Sequence, residues 1–281
     1  TQQITKAMKM VSAAKLKRAT DNIVQMRPYA EALTNMLQNV MASLQGEDIE
    51  LNLNDNRPPE KVMIVLISSD RGLCGGFNSN LIKKAKEKIY VEYKNALDRG
   101  DLRLMTIGKK ATEAFAKSDV PLITHYAGAY NHFDFKITAN IAQYLINEFT
   151  HDEVDRIDVI YSKFKNAGTQ EFMAEQFLPI ATPKHEEDEV KVNTDYIFEP
   201  NQKDLLNELV PTILQTQFFR YFLDNNASEH GARMTAMDKA TENANELLND
   251  LKISYNRARQ AAITTELTEI VSGAAALEGG S

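Results

Sequence analysis

The chain has 281 residues, of which 43% are hydrophobic and 25% are charged, and its formal net charge is −7. This composition is typical of a globular protein with room for one full domain and additional long helices. The negative charge argues against a general nucleic-acid binder, and a transmembrane helix is not predicted because no run of about 18 apolar residues exists. Cys74 is the only cysteine, which excludes an intrachain disulfide and favours a reducing compartment.

The first predicted element is a helix over residues 1–53, rich in the strong helix formers Ala, Met, Lys, Gln and Leu. Small or apolar residues recur along it at alternating steps of three and four, and a period of about 3.5 residues indicates a coiled-coil seam. Pro28 lies inside the pattern, so we expect a bend there rather than an end. The stripe consists of Leu16, Ala19, Ile23, Met26, Ala30, Leu33, Leu37, Val40 and Leu44.

The start of this helix is basic. Its first 27 residues carry six Lys or Arg side chains against Asp21 alone. Such a face suits an acidic protein partner, an anionic membrane or nucleic acid, and a solvated surface is the plain alternative. The basic residues are Lys6, Lys9, Lys15, Lys17, Arg18 and Arg27.

The middle of the chain, after the breaker NDNRPP at residues 54–59, alternates predicted strands with helices. This alternation indicates a mostly parallel sheet, with the last strands forming an antiparallel edge. The acidic stretch 184–193 is predicted to be a surface loop. The predicted strands are 62–67, 102–107, 122–126, 157–164 and 171–180, and the predicted helices are 78–97, 109–117 and 135–149.

The last segment, 202–277, is again predicted to be helical, with soft spots at Pro211, Gly231 and Asn225-Asn226. At about 1.5 Å per residue it would span roughly 110 Å, so most of it should pack outside the middle domain, antiparallel to the first helix. Its tip, 261–277, is small, apolar and free of basic residues, and is expected to be a single exposed helix that seeks a sleeve, or else ordinary core. The second stripe is Met237, Ala240, Ala244, Leu247, Leu251, Ser254, Ala258 and Ala261.

One loop, 68–77, lies where a dinucleotide-binding fold places its phosphate loop, after a strand and before a helix. Its glycine spacing is not G-x-G-x-x-G, and no acidic residue follows the second strand, so a tight turn is the favoured interpretation. Cys74 could be a nucleophile near a helix N-terminus, but no histidine pairs with it in the sequence, and a buried thiol is favoured. None of the five histidines has metal-ligand spacing, so neither a metal nor a cofactor is predicted.

Three segments together resemble the gamma subunit of F-type ATP synthase. They are ITKAMKMVSAAKL at residues 4–16, SSDRGLCGGFN at 68–78 and YNRARQAAITTELTEIVSGAAA at 255–276. The resemblance implies an α/β fold in which a long antiparallel coiled coil joins a central Rossmann-like domain. It divides the chain into an N-terminal coiled-coil helix at 1–56, a foot domain at 57–200 and a C-terminal coiled-coil helix at 201–281.

The resemblance implies a non-catalytic rotor that transmits torque between the membrane and the catalytic sites of other subunits. Its expected partners are a ring of three alpha and three beta subunits around the coiled coil, and the epsilon subunit and membrane c-ring at the foot. Neither nucleic acid nor a small-molecule substrate is expected. The expected location is peripheral, on the cytoplasmic face of a bacterial plasma membrane, in ATP synthesis or hydrolysis coupled to proton transport.

The resemblance also implies contact residues. Met8 and Lys9 correspond to the place where the first helix meets the acidic lever of beta. Arg259 and Gln260 match a pair that contacts a loop of beta. The other implied contacts are Glu266, Thr268 and Glu269 facing the sleeve, and Tyr196 near the c-ring.

Two departures from the family pattern accompany the resemblance. The family has about twenty residues upstream of the position that is Thr1 here, so we expect an upstream segment to be missing or disordered. A cysteine-based redox switch of the photosynthetic branch is not expected with Cys74 alone.

The competing hypotheses are a small-molecule enzyme dimerised by its coiled coil, which needs a ligand at residues 72–76, and a coiled-coil scaffold without a motor role.

Overall fold

The computed structural model describes residues 2–43, 53, 58–180 and 202–278. The elements are α1 (Gln2–Ser43), β1 (Val62–Ile67), α2 (Phe77–Glu87), a π-helical turn (Lys88–Glu92), α3 (Lys94–Arg99), β2 (Leu102–Ile107), α4 (Lys109–Phe115), β3 (Leu122–Ile123), a 3-10 turn (Ala129–His132), α5 (Phe135–Thr150), β4 (Arg156–Asn166), β5 (Thr169–Leu178) and α6 (Gln202–Glu278).

The five strands form one sheet in the order β3-β2-β1-β4-β5. The first four are parallel, and β5 pairs antiparallel with β4 at the edge, as predicted. The bounds of β1 and β2 agree with the sequence prediction residue for residue. The third strand is much shorter than expected, since only Leu122 and Ile123 pair with β2.

The helix predicted over 78–97 is interrupted by the π-helical turn. The turn lies above Asp158 of β4, whose side chain is almost completely buried. Asp158 accepts hydrogen bonds from Tyr93 Oη at 2.6 Å and Lys88 Nζ at 3.3 Å, and Arg156 Nε donates to it at 3.0 Å. A buried carboxylate needs such partners, so the altered helix geometry serves to bring Lys88 and Tyr93 to it.

The sheet is covered on both faces, which explains why β1 is apolar throughout and fully buried. Ile64 and Leu66 of β1 face a core formed with α2, α3 and α4. Met63 and Val65 face a second core formed with α5 and with α6. The side chains that α6 contributes to that second core are Val210, Leu214, Phe218, Tyr221 and Phe222.

The helices α1 and α6 form the predicted antiparallel coiled coil. Lys9 Nζ makes an ion pair with Asp238, and Thr241 Oγ1 donates to Thr5 Oγ1 at 2.8 Å, so residue numbers rise on one helix as they fall on the other. Pro28 lies inside α1, which continues on both sides of it. The predicted stripe is buried or half-buried at Leu16, Ala19, Ile23, Met26, Ala30 and Leu33, which confirms the seam.

The second stripe is confirmed only over its first three positions. Met237, Ala240 and Ala244 are buried or half-buried, whereas every residue of 245–274 is exposed. Leu247 and Leu251, which the period placed in the seam, are 60% and 58% exposed. The reason is register: Thr5 lies opposite Thr241, so no described part of α1 runs beside α6 beyond Ala244.

Three further predictions about the long helices need correction or fall outside the described residues. The first helix ends by Leu53, which lies in a turn, and is described only to Ser43. The expectation that most of α6 packs outside the middle domain overlooked the stretch 210–235, which packs on the sheet and its loops. The side chains of Leu37, Val40 and Leu44, the loop 184–193 and Tyr196 lie outside what the structure describes.

In the described residues, no helix combines the length and the apolar character that crossing a membrane requires.

Candidate functional site: the junction of the sheet and the long helix

The crevice at the carboxyl ends of β1 and β4 is the place where this type of fold usually binds a ligand. The chain passes from β1 to β2 and β3 on one side, then returns to pair β4 on the other side of β1, which makes this a topological switch point. Here α6 occupies the crevice itself. The helix therefore fills the position at which the small-molecule enzyme hypothesis would place a ligand between β1 and β4.

Two polar side chains of α6 are bonded to the backbone of Ser162 in β4. Asn225 Oδ1 accepts from the Ser162 N–H at 3.0 Å, and Ser228 Oγ donates to the Ser162 carbonyl at 3.1 Å. Asn225 also donates to Tyr130 Oη at 3.1 Å. Because Asn225 is fully buried and bonded on both sides, the prediction of a soft spot at Asn225-Asn226 was wrong.

Gly231 allows α6 to approach the turn between β4 and β5. A Cβ atom on Gly231 would lie 3.1 Å from the carbonyl oxygen of Ala167 and 3.2 Å from its Cα. The hydroxyl of Thr235, one helical turn further, lies 3.2 Å from the same carbonyl oxygen and 3.1 Å from the Gly231 carbonyl oxygen of its own helix, so its proton is shared between the two. The helix continues unbroken through Gly231, so this glycine marks a close contact rather than a weak point.

The glycine loop 68–76 is held by its own side chains. The amide oxygen of Asn78 accepts from the N–H of Ser69 at 3.1 Å, and Ser69 Oγ donates to the Arg71 carbonyl at 2.7 Å. Gly75 has a φ of +59°, which confirms the predicted tight turn, and Leu73 also adopts a positive φ of +62°. The loop is thus a turn held by the hydrogen bonds of its own side chains.

Arg233 of α6 binds those carbonyls. Its guanidinium donates to the Arg71 oxygen at 3.0 Å and to the Gly72 oxygen at 3.3 Å. Glu229, four residues earlier on the same face, makes a salt bridge with it at 2.6 Å, and both side chains are about nine-tenths buried. The arrangement is a charge-assisted anchor between the long helix and the glycine loop.

His230 lies beside this anchor. Its burial, together with the positive charges of Arg233 and Lys15, lowers the pKa of its imidazole to about 4. The ring is therefore neutral near pH 7, and Arg233 lies 3.4 Å from its Nδ1 atom. Lys15 belongs to α1, so the charges of both long helices converge here.

Cys74 is buried, as predicted, and nearby Asn78 donates to its sulfur at 3.3 Å. Burial raises the pKa of the thiol, in spite of the opposing charge of Arg233. A protonated, buried thiol is a poor nucleophile. Among the described residues, no cluster of His, Cys, Asp and Glu has the geometry to hold a metal ion.

The implied contact residues lie in two separate places. Met8 is half-buried in the coiled coil, and Lys9 makes an ion pair with Asp238 of α6. Arg259 is exposed about 30 Å further along α6, at about 1.5 Å per residue. The other four contact residues that can be located, Gln260, Glu266, Thr268 and Glu269, are also exposed on this single helix.

The sequence reasoning missed Asn225, Glu229 and Arg233, although a signal was present. Buried residues lie on every side of the helix over the stretch 221–233, and Asn225, Glu229 and Arg233 are three of the buried polar residues there. Polar side chains in a helix that is otherwise apolar around its circumference indicate specific partners.

The profile of the ATP synthase family matches residues 1–277. The ATP synthase gamma chain of Cytophaga hutchinsonii is 48% identical over 99% of this chain and 94% of its own length. The ATP synthase gamma chain of Flavobacterium johnsoniae is 49% identical, again over 99% of this chain and 94% of its own length. The chain belongs to the ATP synthase gamma-chain family. Members of this family are non-catalytic central-stalk subunits, so this chain is a rotor component and not an enzyme by itself.

Solved structures support the fold. A chain of the central stalk and c-ring assembly of Tetrahymena thermophila mitochondrial ATP synthase has a TM-score of 0.59 at 23% identity, covering 85% of this chain and 99% of that one. A chain of the Euglena gracilis mitochondrial ATP synthase has a TM-score of 0.55 at 18% identity, covering 98% and 96%. The predicted α/β fold with two long terminal helices is thereby confirmed.

Proposed function

We propose that this gamma chain turns inside a ring of three alpha and three beta subunits, with its sheet domain toward the membrane c-ring. The observation that carries this proposal is α6, which continues past the sheet domain to Glu278 and carries a small, apolar face free of basic residues at its end, over 261–277. Large apolar side chains on one helix suit an enclosing protein sleeve. At this end they include Ile263, Leu267, Ile270 and Val271.

The contact residues belong to this proposal. Met8 and Lys9 would meet the acidic lever of beta near the base of the ring, and the ion pair of Lys9 with Asp238 would orient the basic helix for it. Arg259 and Gln260 would contact a loop of beta higher on the shaft. Glu266, Thr268 and Glu269 would face the sleeve, and Tyr196 would approach the c-ring.

The opposite end of the molecule receives the remaining partners. We assign the epsilon subunit and the c-ring to the sheet domain, because the tip of α6 is assigned to the ring of alpha and beta subunits. The complex would lie on the cytoplasmic face of the membrane and couple proton transport to ATP synthesis or hydrolysis. In this proposal the helices 1–56 and 201–281 form the shaft inside the ring, and the foot 57–200 meets the c-ring. The helix α6 belongs to both parts, since its first half packs on the foot.

The test is reconstitution with matched alpha and beta subunits. A bead attached through Lys83→Cys would report rotation of the sheet domain, since position 83 is exposed while Cys74 is buried. We expect stepwise rotation that depends on ATP hydrolysis.

A matched pair of variants locates the sleeve. Leu267→Asp places a charge on the apolar face of the tip and should weaken assembly with the ring, whereas Glu242→Lys, an exposed charge change beside the coiled coil, should weaken it less. Failure of the parent chain to join competent alpha and beta subunits would refute the proposal.

A further inference from the structure

Two hydrogen-bonded contacts between α6 and the sheet domain lie on opposite sides of the helix. Gly231 and Thr235 are four residues apart and share the face that contacts the Ala167 carbonyl. Arg233 is two positions from each, about 200° around the helix, and binds the glycine loop. The helix is thus held between the turn at 167–168 on one side and residues 71–72 on the other.

These two contacts lie at the point where α6 leaves the sheet domain. Before them, the helix is held mainly by apolar packing of side chains such as Phe218 and Phe222. After Ala244 it is exposed throughout the described tip. A torque applied to the exposed helix therefore reaches the sheet domain at this level, where Ala236 lies beside Gly75 and Arg233 and Thr235 make the hydrogen bonds.

The two contacts are directional, which apolar packing is not. The guanidinium of Arg233 is fixed in place by the Glu229 carboxylate and ends on two backbone carbonyls of the glycine loop. Rotation of α6 about its own axis would have to break hydrogen bonds on one side or the other. Between the two contacts lies an open groove of about 390 Å³, lined by Gly75, Ala232 and Ala236 among others, so packing alone does not fill this level of the junction.

We propose that Arg233, with Glu229 as its support, and Thr235 form a two-sided clamp that couples the long helix to the sheet domain for torque transmission. Arg233 and Thr235 are positioning residues in this scheme, since neither touches a nucleotide. The clamp determines how stiffly the foot follows the shaft. This inference rests on the rotor function and adds the residues through which the torque passes.

The test uses the assembled complex with the ring of alpha and beta subunits immobilised and a bead on the sheet domain. Arg233→Lys keeps the positive charge beside Glu229 but removes the fork that binds two carbonyls. Thr235→Val keeps the shape and removes the hydroxyl, and Thr235→Ser restores it. We expect both Arg233→Lys and Thr235→Val to lose torsional stiffness, measured as a broader angular distribution of the bead during catalytic pauses, and Thr235→Ser to recover it.

The control is Tyr93→Phe, which removes a buried hydrogen bond of the same domain, from Tyr93 Oη to Asp158, away from α6. It should lower the melting temperature without changing the angular distribution. Assembly and rotation with unchanged stiffness in both clamp variants would overturn the clamp while leaving the rotor function intact. If Arg233→Lys fails to assemble, the torsional stiffness of Thr235→Val alone tests the clamp, and unchanged stiffness in that variant overturns it.

Discussion

The foot and the tip of this molecule are stabilised in different ways. The sheet is buried between two helical layers, and six consecutive residues of β1 have no exposed surface. The tip of α6, by contrast, has 30 consecutive exposed positions from residue 245 to 274. The foot gains its folding free energy from burial in its two cores, whereas the described side chains at 245–274 gain little from packing within the given chain and the helix there depends on helix propensity. The sheet and the long helix therefore differ in how much of their stability comes from buried contacts.

The largest expected effect comes from the foot core. Phe218→Ala removes a fully buried ring that packs on Phe177 and Phe222, and should lower the free energy of unfolding by about 3–5 kcal/mol. Leu247→Ala, at an exposed position of the tip, should change it by less than about 0.5 kcal/mol. Urea unfolding followed by circular dichroism measures both. Equal losses in the two variants would mean that the tip is packed against something in the isolated chain.

A similar loss is expected at the junction. Glu229→Ala leaves the Arg233 guanidinium buried without its counter-charge and should cost about 3–5 kcal/mol. Glu246→Ala removes an acidic residue from an exposed position of the same helix and should be nearly neutral. A small loss for Glu229→Ala in urea unfolding would show that the loop carbonyls alone satisfy Arg233.

Two buried groups of α6 should oppose each other as the pH changes. Burial raises the pKa of Asp224 to about 6, although Arg220 opposes it, whereas the pKa of His230 is lowered to about 4. Because the folded pKa of Asp224 is raised, its contribution to stability increases as the pH falls from about 6 toward 3.8. Because the folded pKa of His230 is depressed, its contribution decreases as the pH falls from 6.5 toward 4.

In each single variant, the pH dependence of the unfolding free energy should therefore be that of the group that remains. Relative to the parent, Asp224→Asn should lose about 2 kcal/mol of stability between pH 6.5 and pH 4, and His230→Gln should gain a similar amount. Urea midpoints across this range provide the measurement. Parallel pH curves for the parent and both variants would show that these groups do not titrate differently on folding.

The smallest effect is expected in the coiled coil. The ion pair between Lys9 and Asp238 is partly exposed, at 40% and 46% of the two side chains, so Lys9→Ala should cost about 0.2–1 kcal/mol. Lys6→Ala, at an exposed neighbouring position, serves as the control. Salt should reduce the difference between the two variants. A larger cost that persists at high salt would assign Lys9 a structural role beyond its charge.

The sequence by itself determined the elements whose pattern is local. The uninterrupted apolar run of β1 predicted its bounds, since a strand buried on both faces needs apolar residues at every position. The bounds of β2 were predicted as well, although Arg103 and Thr106 interrupt its apolar residues. The 3.5-residue stripe of α1 predicted which side chains face the partner helix, and the glycine-rich segment after β1 predicted a turn rather than a nucleotide site.

The tertiary structure alone decided what depends on register and on distant neighbours. The pattern of α6 continues past Ala244 without change, and only the pairing of Thr5 with Thr241 decides which part of α6 lies beside the described part of α1. Asn225 and Gly231 looked like weak points in a helix and proved to be its closest contacts with the sheet. The loop carbonyls that accept from Arg233 lie more than 160 residues away in the chain, and the period of a helix carries no information about them.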